Sequence, residues 1–467
     1  MRRIARFAAV LLWLICANWG CAESPVFRRV TPRELGLDIP SGSVESGGNA
    51  CVLVPGKEGG QDVVARIWVR VGEQCIVLLP TGELAARSAA QTQPTEQRFE
   101  ACSADELLAL LAARLPGHKL KKGRHYVYAY NTGEAFARAA QGLLESMVPG
   151  IVSHSRQQKL DTQDPEFPLV AIMFRTRQEF DAFRPMPDGI VAYYDPIANH
   201  VVMYEESPLY RVKPELAMQQ AISTIAHEGA HQILHNIGVQ QRLSVWPMWL
   251  SEGLAEYYAP TGFGKKLRWK GAGHVNDLRM FELELYLKGR TADAPDGQMV
   301  EHTVSAARLT STGYAAAWSL THFLAKTQRD EFHAFLGHIS RMGPLETCGE
   351  AVSPGVVPAN LQTFRDHFGV ELTQIESRLV KHLKSLPYTD PFQEWPHFVA
   401  TVEVPLSRRS RRDAQLFHSR DMAEKWTAEA IAALPESQRR QARPAIEPFP
   451  NRLQAERYAR QFLSAGR

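Results

Sequence analysis

An α+β fold is predicted by three observations. Between residues 124 and 206, strand-like apolar runs alternate with amphipathic helical ones. From 214 to about 384 the pattern is almost wholly helical. Near the C-terminus a strand–turn–helix unit occurs twice, offset by 32 residues. Several strands followed by a long helix suit a small mixed sheet with a helical second half. Smaller modules flank this centre. The expected divisions are a leader at 1–22, a strand-rich module at 23–117, the α+β domain at 118–385 and a two-repeat module at 386–467.

The leader comes first. Arg2, Arg3 and Arg6 precede the apolar run FAAVLLWLIC, and Gly20-Cys21-Ala22 sets small residues where a signal peptidase reads. The pattern predicts export, with cleavage after Ala22 and the mature chain in the periplasm, the cell envelope or the medium. The run is too short for a stop-transfer span, and no later run is long enough, so no transmembrane helix is expected. Lipid anchoring at Cys21 is a competing reading. Asn18 and Trp19 argue against it, since a lipobox carries Leu and a small residue there. Removing three arginines and no acid takes the formal charge from +3 to about zero. Such a chain has no electrostatic footprint for nucleic acid.

In the first module, DVVARIWVRV and QCIVLLP read as strands, and PTGE is the turn that ends the second. SADELLALLAARL reads as a helix capped by Ser103. The mature chain keeps Cys51, Cys75, Cys102 and Cys348. In an exported protein one disulfide among the first three is expected. No Cys-x-x-Cys pair occurs, which leaves thiolate-zinc and redox chemistry without a motif.

The α+β domain opens on the strand RHYVYAYN and the helix GEAFARAAQGLLESMV, which ends before Pro149. PLVAIMF is a buried strand and RQEFDAFR a short helix. GIVAYYD and NHVVMYEE flank a Pro-containing turn and predict a hairpin. A helix then runs from Lys213 to Ile237, with Pro214 in its first turn and Gly238 closing it. Further helices are expected at 246–259, 278–289 and 314–326, with helical patterns to about 384. SLPYTDPFQEWPHF reads as a linker. In the last module, Phe417-His-Ser-Arg420-Asp-Met-Ala423-Glu424 aligns with Phe449-Pro-Asn-Arg452-Leu-Gln-Ala455-Glu456.

The helix at 213–237 contains His227-Glu228-Gly-Ala-His231. Residues four apart share a helix face, so both imidazoles can reach one metal ion while Glu228 flanks that face as a base. With 16 His in the chain, chance alone yields this pentad in roughly 3 of 100 such sequences, so a third ligand is needed. His235 continues the same straight stripe and stands too far along it to close a tetrahedron; packing, or a place behind the ligands, is expected for it. Gly and His are absent at 234 and 237, which excludes the metzincin pattern. Glu252 and Glu256 both lie on the next predicted helix, and either could ligate.

HEGAH followed by WLSEGLAEY resembles the gluzincin arrangement of the aminopeptidase N and leukotriene hydrolase group. The resemblance implies a zincin-like metallopeptidase domain holding Zn2+ through His227, His231 and Glu252, with Glu228 as general base. It places Glu256 behind the ligands, able to orient one of the histidines. Tyr314-Ala-Ala-Ala317-Trp-Ser-Leu320 is similar to the segment whose tyrosine polarises the tetrahedral intermediate in that group, which implies this role for Tyr314. The group's Gly-x-Met-Glu-Asn strand, which binds a free amine, has no counterpart here. Aminopeptidase activity is therefore not implied, and an endopeptidase-like action on a peptide or protein substrate is. The hairpin at 189–206 occupies the place of a substrate-pairing edge strand. The stretch from 120 to 385 also resembles a bacterial family of secreted, gluzincin-like domains of unknown function.

The C-terminal repeat is similar to the peptidoglycan-binding SPOR repeat, without its glycine before the Phe. That resemblance implies cell-envelope contact through 386–467, against a docking module with no ligand. SRRSRR at 407–412 reads as a solvated loop. Two other readings stay open for the whole protein. One is an inactive, zincin-like envelope scaffold. The other is a zinc hydrolase acting on a non-protein amide.

Overall fold

The computed structural model describes residues 27–35, 37–56, 61–207, 214–262, 268–289, 296–348, 359–391, 393, 396–406, 410–417 and 419–465. The leader read at 1–22, Lys213 and residues 407–409 of the basic run lie outside them.

Strands β1 (Cys51–Val54), β2 (Val63–Val71), β3 (Gln74–Leu78) and β4 (Leu84–Ser88) form an antiparallel sheet in the order β4-β3-β2-β1, with short segments at 44–46 and 93–94 added. The expected disulfide is not there: Cys51, Cys75, Cys102 and Cys348 are all free thiols. Cys51 lies on β1 and Cys75 on β3, with β2 between them. Two strand spacings come to about 9.6 Å, beyond the ~7 Å that a disulfide spans. Cys102 and Cys348 each pack against a different hydrophobic cluster.

Helix α1 (Ala104–Arg114) starts at a full capping box: Ser103 Oγ accepts from Glu106 N–H at 3.3 Å, and Glu106 Oε2 accepts from Ser103 N–H at 2.7 Å. It packs on the central sheet through Leu107 and Leu111. That sheet contains β5 (Lys119–Lys122), β6 (Tyr126–Tyr130), β7 (Leu169–Phe174), β8 (Ala192–Asp195) and β9 (His200–Tyr204), in the order β8-β9-β7-β6-β5. β6, β7 and β9 run parallel, and the two edge strands run against them. β6 and β7 are buried throughout because both sheet faces are covered.

Helix α2 (Glu134–Gln157) and helix α4 (Pro214–Asn236) lie on one face; α1 and α3 (Arg177–Phe183) lie on the other. α2 passes through Pro149, where the sequence suggested an end. Proline forfeits one backbone bond, but Met147, Val148, Ile151 and Val152 are buried on both sides of it and hold the helix in line. α4 sits close against α2 because Gly229 has no side chain: a Cβ there would stand 2.5 Å from Leu144 Cδ2.

The helical half comes next: α5 (Met248–Tyr258), α6 (Asp277–Gly289), α7 (Gln298–Ser305), α8 (Ser311–Thr327), α9 (Arg329–Ile339), α10 (Ala359–Phe368) and α11 (Leu372–Ser385). One hydrophobic cluster joins it to α2 and α4, with Trp249 stacked on Phe335 at 5.7 Å. α5 packs against α8 at Gly253, whose missing Cβ leaves room for Thr321 Oγ1 and the Ala317 carbonyl.

In the C-terminal module β10 (His397–Pro405) is the centre of a sheet ordered β11-β10-β12, with β11 (Ser410–Phe417) and β12 (Arg443–Phe449). The internal repeat takes the expected shape. β11 ends at Phe417 and leads to α12 (Arg420–Ala432), capped by Ser419; β12 ends at Phe449 and leads to α13 (Arg452–Ser464), capped by Asn451. α13 packs on the sheet face bearing Val399, α12 on the face bearing Ala400. Among the described residues no helix is long and apolar enough to cross a membrane.

Candidate metal centre

The pentad falls in the middle of α4, and the first turns of α5 bring Glu252 against it. His227 Nε2 lies 3.0 Å from Glu252 Oε2 and 3.2 Å from His231 Nε2, and His231 Nε2 lies 3.4 Å from the same Glu252 oxygen. Two imidazole nitrogens and a carboxylate oxygen converging this closely could hold a cation between them. A tetrahedral ion with bonds of about 2.0–2.1 Å holds its ligand atoms about 3.3 Å apart, so the spacing fits one. Among the described residues this is the group of three side chains placed to hold a metal ion. The N,N,O donor set is one that Zn2+ and its neighbours accept.

The surrounding carboxylates favour positive charge at this point. Burial disfavours a charged His227, but the carboxylates of Glu256, Glu252 and Glu228 outweigh burial and hold its pKa well above the ordinary value. Burial likewise opposes ionisation of Glu252, and His231 and His227 overcome it, holding this carboxyl well below the usual range.

Glu256 stands behind the trio. Its Oε1 is 3.0 Å from His227 Nδ1, at ion-pair distance though without the alignment of a linear hydrogen bond. Its oxygens accept from Asn276 Nδ2 at 2.8 Å and Arg279 Nη2 at 2.6 Å. Against its burial, Arg279 and His227 lower its pKa to about 2. The two glutamates that the residues alone left interchangeable are thus separated: Glu252 faces both Nε2 atoms and Glu256 the far side of one ring. His235 lies outside the trio. Its ring packs on Tyr194, centroids 5.4 Å apart, and burial lowers its pKa to about 3.

Glu228 is held from β8: Tyr194 N–H donates to its Oε2 at 2.9 Å. Burial raises its pKa, and the neighbouring imidazoles counter only part of that. β8 is the sheet edge. Tyr204 N–H donates to Val191 O, so the alternation of an antiparallel ladder turns the backbone groups of Ala192 and Tyr194 away from β9, towards α4. A groove of about 380 Å³ runs along that free edge, with His227, Glu228 and Glu256 at its base. Tyr314, in the first turn of α8, lines the groove with its ring 6.0 Å from that of His227. Burial, then the charges of Glu252 and Glu228, push its pKa up to about 12, so the phenol stays protonated.

Sequence reasoning found the trio, Glu228, Glu256 and Tyr314. It missed Tyr194, Asn276, Arg279 and Arg242. Arg279 pairs with Glu256 and Glu282, and its guanidinium lies 5.4 Å from the centre of the Tyr314 ring. Arg242 is buried and donates to the carbonyls of Pro196 (2.7 Å), Gly82 (2.7 Å) and Ile197 (2.9 Å), fastening the β8–β9 turn to the first module. Asn276 before an apolar run carried an N-cap signal; the other three act through backbone groups or distant partners and left none.

Residues 221–346 match a protein family described as "Protein of unknown function (DUF1570)". The matched stretch spans the trio, Glu228, Glu256, Arg279 and Tyr314, and leaves out the central sheet. No curated protein matches this chain.

Proposed function

We propose that this protein is an exported zinc-dependent peptidase of endopeptidase-like action. The observation that carries the reading is the convergence of His227, His231 and Glu252 beside the Glu228 carboxylate, with His227 and Glu228 lining a groove walled by a free strand edge. His227, His231 and Glu252 would hold the metal. Zinc bound there would supply Lewis acidity, making a water more acidic and a carbonyl more electrophilic.

The chain's own residues account for the remaining steps. An extended peptide pairs with the free backbone groups of β8, which aligns its scissile bond over α4. Tyr194 N–H occupies Oε2 of Glu228 and leaves Oε1 to take a proton from the attacking water. Burial raises the Glu228 pKa, which makes the carboxylate a stronger base. Tyr314 donates its O–H to the oxyanion that develops on the substrate. Glu256 keeps the His227 ring turned towards the trio.

The test uses the mature chain, a mixed peptide library and metal analysis. Glu228→Gln is expected to keep the metal and lose turnover by about 10²–10⁴-fold. Glu252→Ala is expected to lose the metal. A wild-type chain that carries one metal ion and cleaves no peptide in the library would overturn the peptidase reading.

A further inference from the structure

The proposed reaction leaves the C-terminal module without a role, and the way that module meets α6 gives it one. Asn276 caps α6: its Oδ1 accepts from Arg279 N–H at 3.3 Å, while its Nδ2 donates to Glu256 at 2.8 Å. Arg279 donates to the other Glu256 oxygen at 2.6 Å. Both groups that fix the Glu256 carboxylate therefore come from the start of α6. One residue along, Asp277 accepts the backbone N–H of Thr389, in the linker to the C-terminal module, at 3.1 Å.

The module grips the next turns of the same helix. Arg452 reaches Glu284 at 3.4 Å, lies 5.9 Å from the Phe281 ring and pairs with Asp390 of the linker. It also pairs within α13 with Glu456 at 2.9 Å. The internal repeat supplies a comparison. Arg420 makes the same pair with Glu424, at 3.0 Å, in the first repeat. Arg420 is 62% exposed and Arg452 16%. Of two equivalent arginines, one is largely covered where it meets α6 and the other faces solvent.

We infer that the C-terminal module is a clamp on α6 that sets the geometry of the metal centre. Docking of Arg452 and the linker fixes the first turn of α6. Asn276 and Arg279 then hold Glu256, and Glu256 orients His227. Arg452, Asn276 and Arg279 are positioning residues; none touches the trio. The inference rests on the proposed metal site. Partners behind a ligand histidine are worth about 10–100-fold in metal affinity, so a defect in the clamp registers as weaker metal binding.

The experiment measures Zn2+ affinity of the full chain by chelator competition, with the Co2+ absorption spectrum as a second readout of coordination. Arg279→Gln is expected to weaken binding by about 10–100-fold. Arg452→Ala is expected to weaken it by several-fold, with recovery in Arg452→Lys. Arg420→Ala should match wild type. The double variant Arg452→Ala/Arg279→Gln should lose less than the two single losses multiplied, because both act on one path. Glu284→Gln is a milder break of the same contact should Arg452→Ala fail to fold. If Arg452→Ala and Glu284→Gln lower Tm yet keep wild-type affinity and spectrum, the module is only a structural appendage and the inference fails. If wild type takes up no metal, the metal reading itself fails and the clamp with it.

Discussion

Replacing Gly253 by alanine sets two effects of opposite sign against each other. Gly253 lies inside α5, next to Glu252, where α5 meets α8. An exposed helical glycine gains about 1 kcal/mol on becoming alanine. Here the new Cβ would lie 2.7 Å from the Ala317 carbonyl oxygen and closer still to Thr321 Oγ1. A threonine hydroxyl can turn away, but a backbone carbonyl cannot, so the helices must separate. Overpacking of this kind costs about 1–3 kcal/mol, and a backbone obstacle belongs at the upper end. The net expectation is a loss of about 2 kcal/mol, or a fall of about 4 °C in Tm for a domain of this size. Gly142 is the control, since a Cβ there meets nothing within 4 Å; Gly142→Ala should be neutral or stabilising by up to about 1 kcal/mol. Thermal melts of the two variants with and without Zn2+ make the comparison, and the Gly253 variant should also hold zinc more weakly. A Gly253→Ala chain melting at or above wild type would refute the packing argument.

Arg242→Met should leave the buried Gly82 carbonyl without a donor, while the part-buried Pro196 carbonyl turns to water and Ile197 O keeps its bond from Leu84 N–H; the urea midpoint should report a loss of about 2 kcal/mol, and a loss under about 0.5 kcal/mol would contradict the clamped-turn description. Acid should weaken the fold between about pH 6.5 and 5. Burial lowers the pKa values of His200 and His322 to about 4. Both stay neutral in the fold and take up protons first in the unfolded chain, so their contribution is full above about pH 6.5 and is lost as pH falls towards 4, by at most about 3 kcal/mol each. Urea titrations at pH 7.5, 6 and 5 should show a falling midpoint; a flat profile over that range would refute the assignment.

The elements with strong local signals were legible in the sequence. Ser103 announced α1, the apolar run at 168–174 announced β7, and the repeated Phe-x-x-Arg segments announced both strand-to-helix junctions of the last module. The trio was legible because helical spacing links His227 to His231 and a carboxylate recurs on the next helix. What was not legible is decided across the chain. Which glutamate faces the imidazoles depends on how α5 packs against α4 and α8, with Gly253 at the close approach to α8. The cysteines looked pairable because sequence distance hides the strand lying between Cys51 and Cys75. Pro149 looked like a helix end because its local cost is visible and the burial that offsets it is not. Tyr194 contributes a backbone N–H, which no residue identity reveals.

The contact of Leu144 with Gly229 bears on how such a protein can be divided. The segment from 221 to 346, whose sequence matches a known family, contains every group that would touch the metal. It does not contain the surface on which its central helix rests. α2 fills the hollow left by Gly229, and β8 supplies the donor that steadies Glu228. The unit that recurs as sequence and the unit that folds are therefore different lengths of chain. A fragment cut at the limits of the match would carry the ligands on a helix stripped of its apolar support. Protein engineering or domain exchange at this site has to begin no later than the strand at 126–130, with α2 retained.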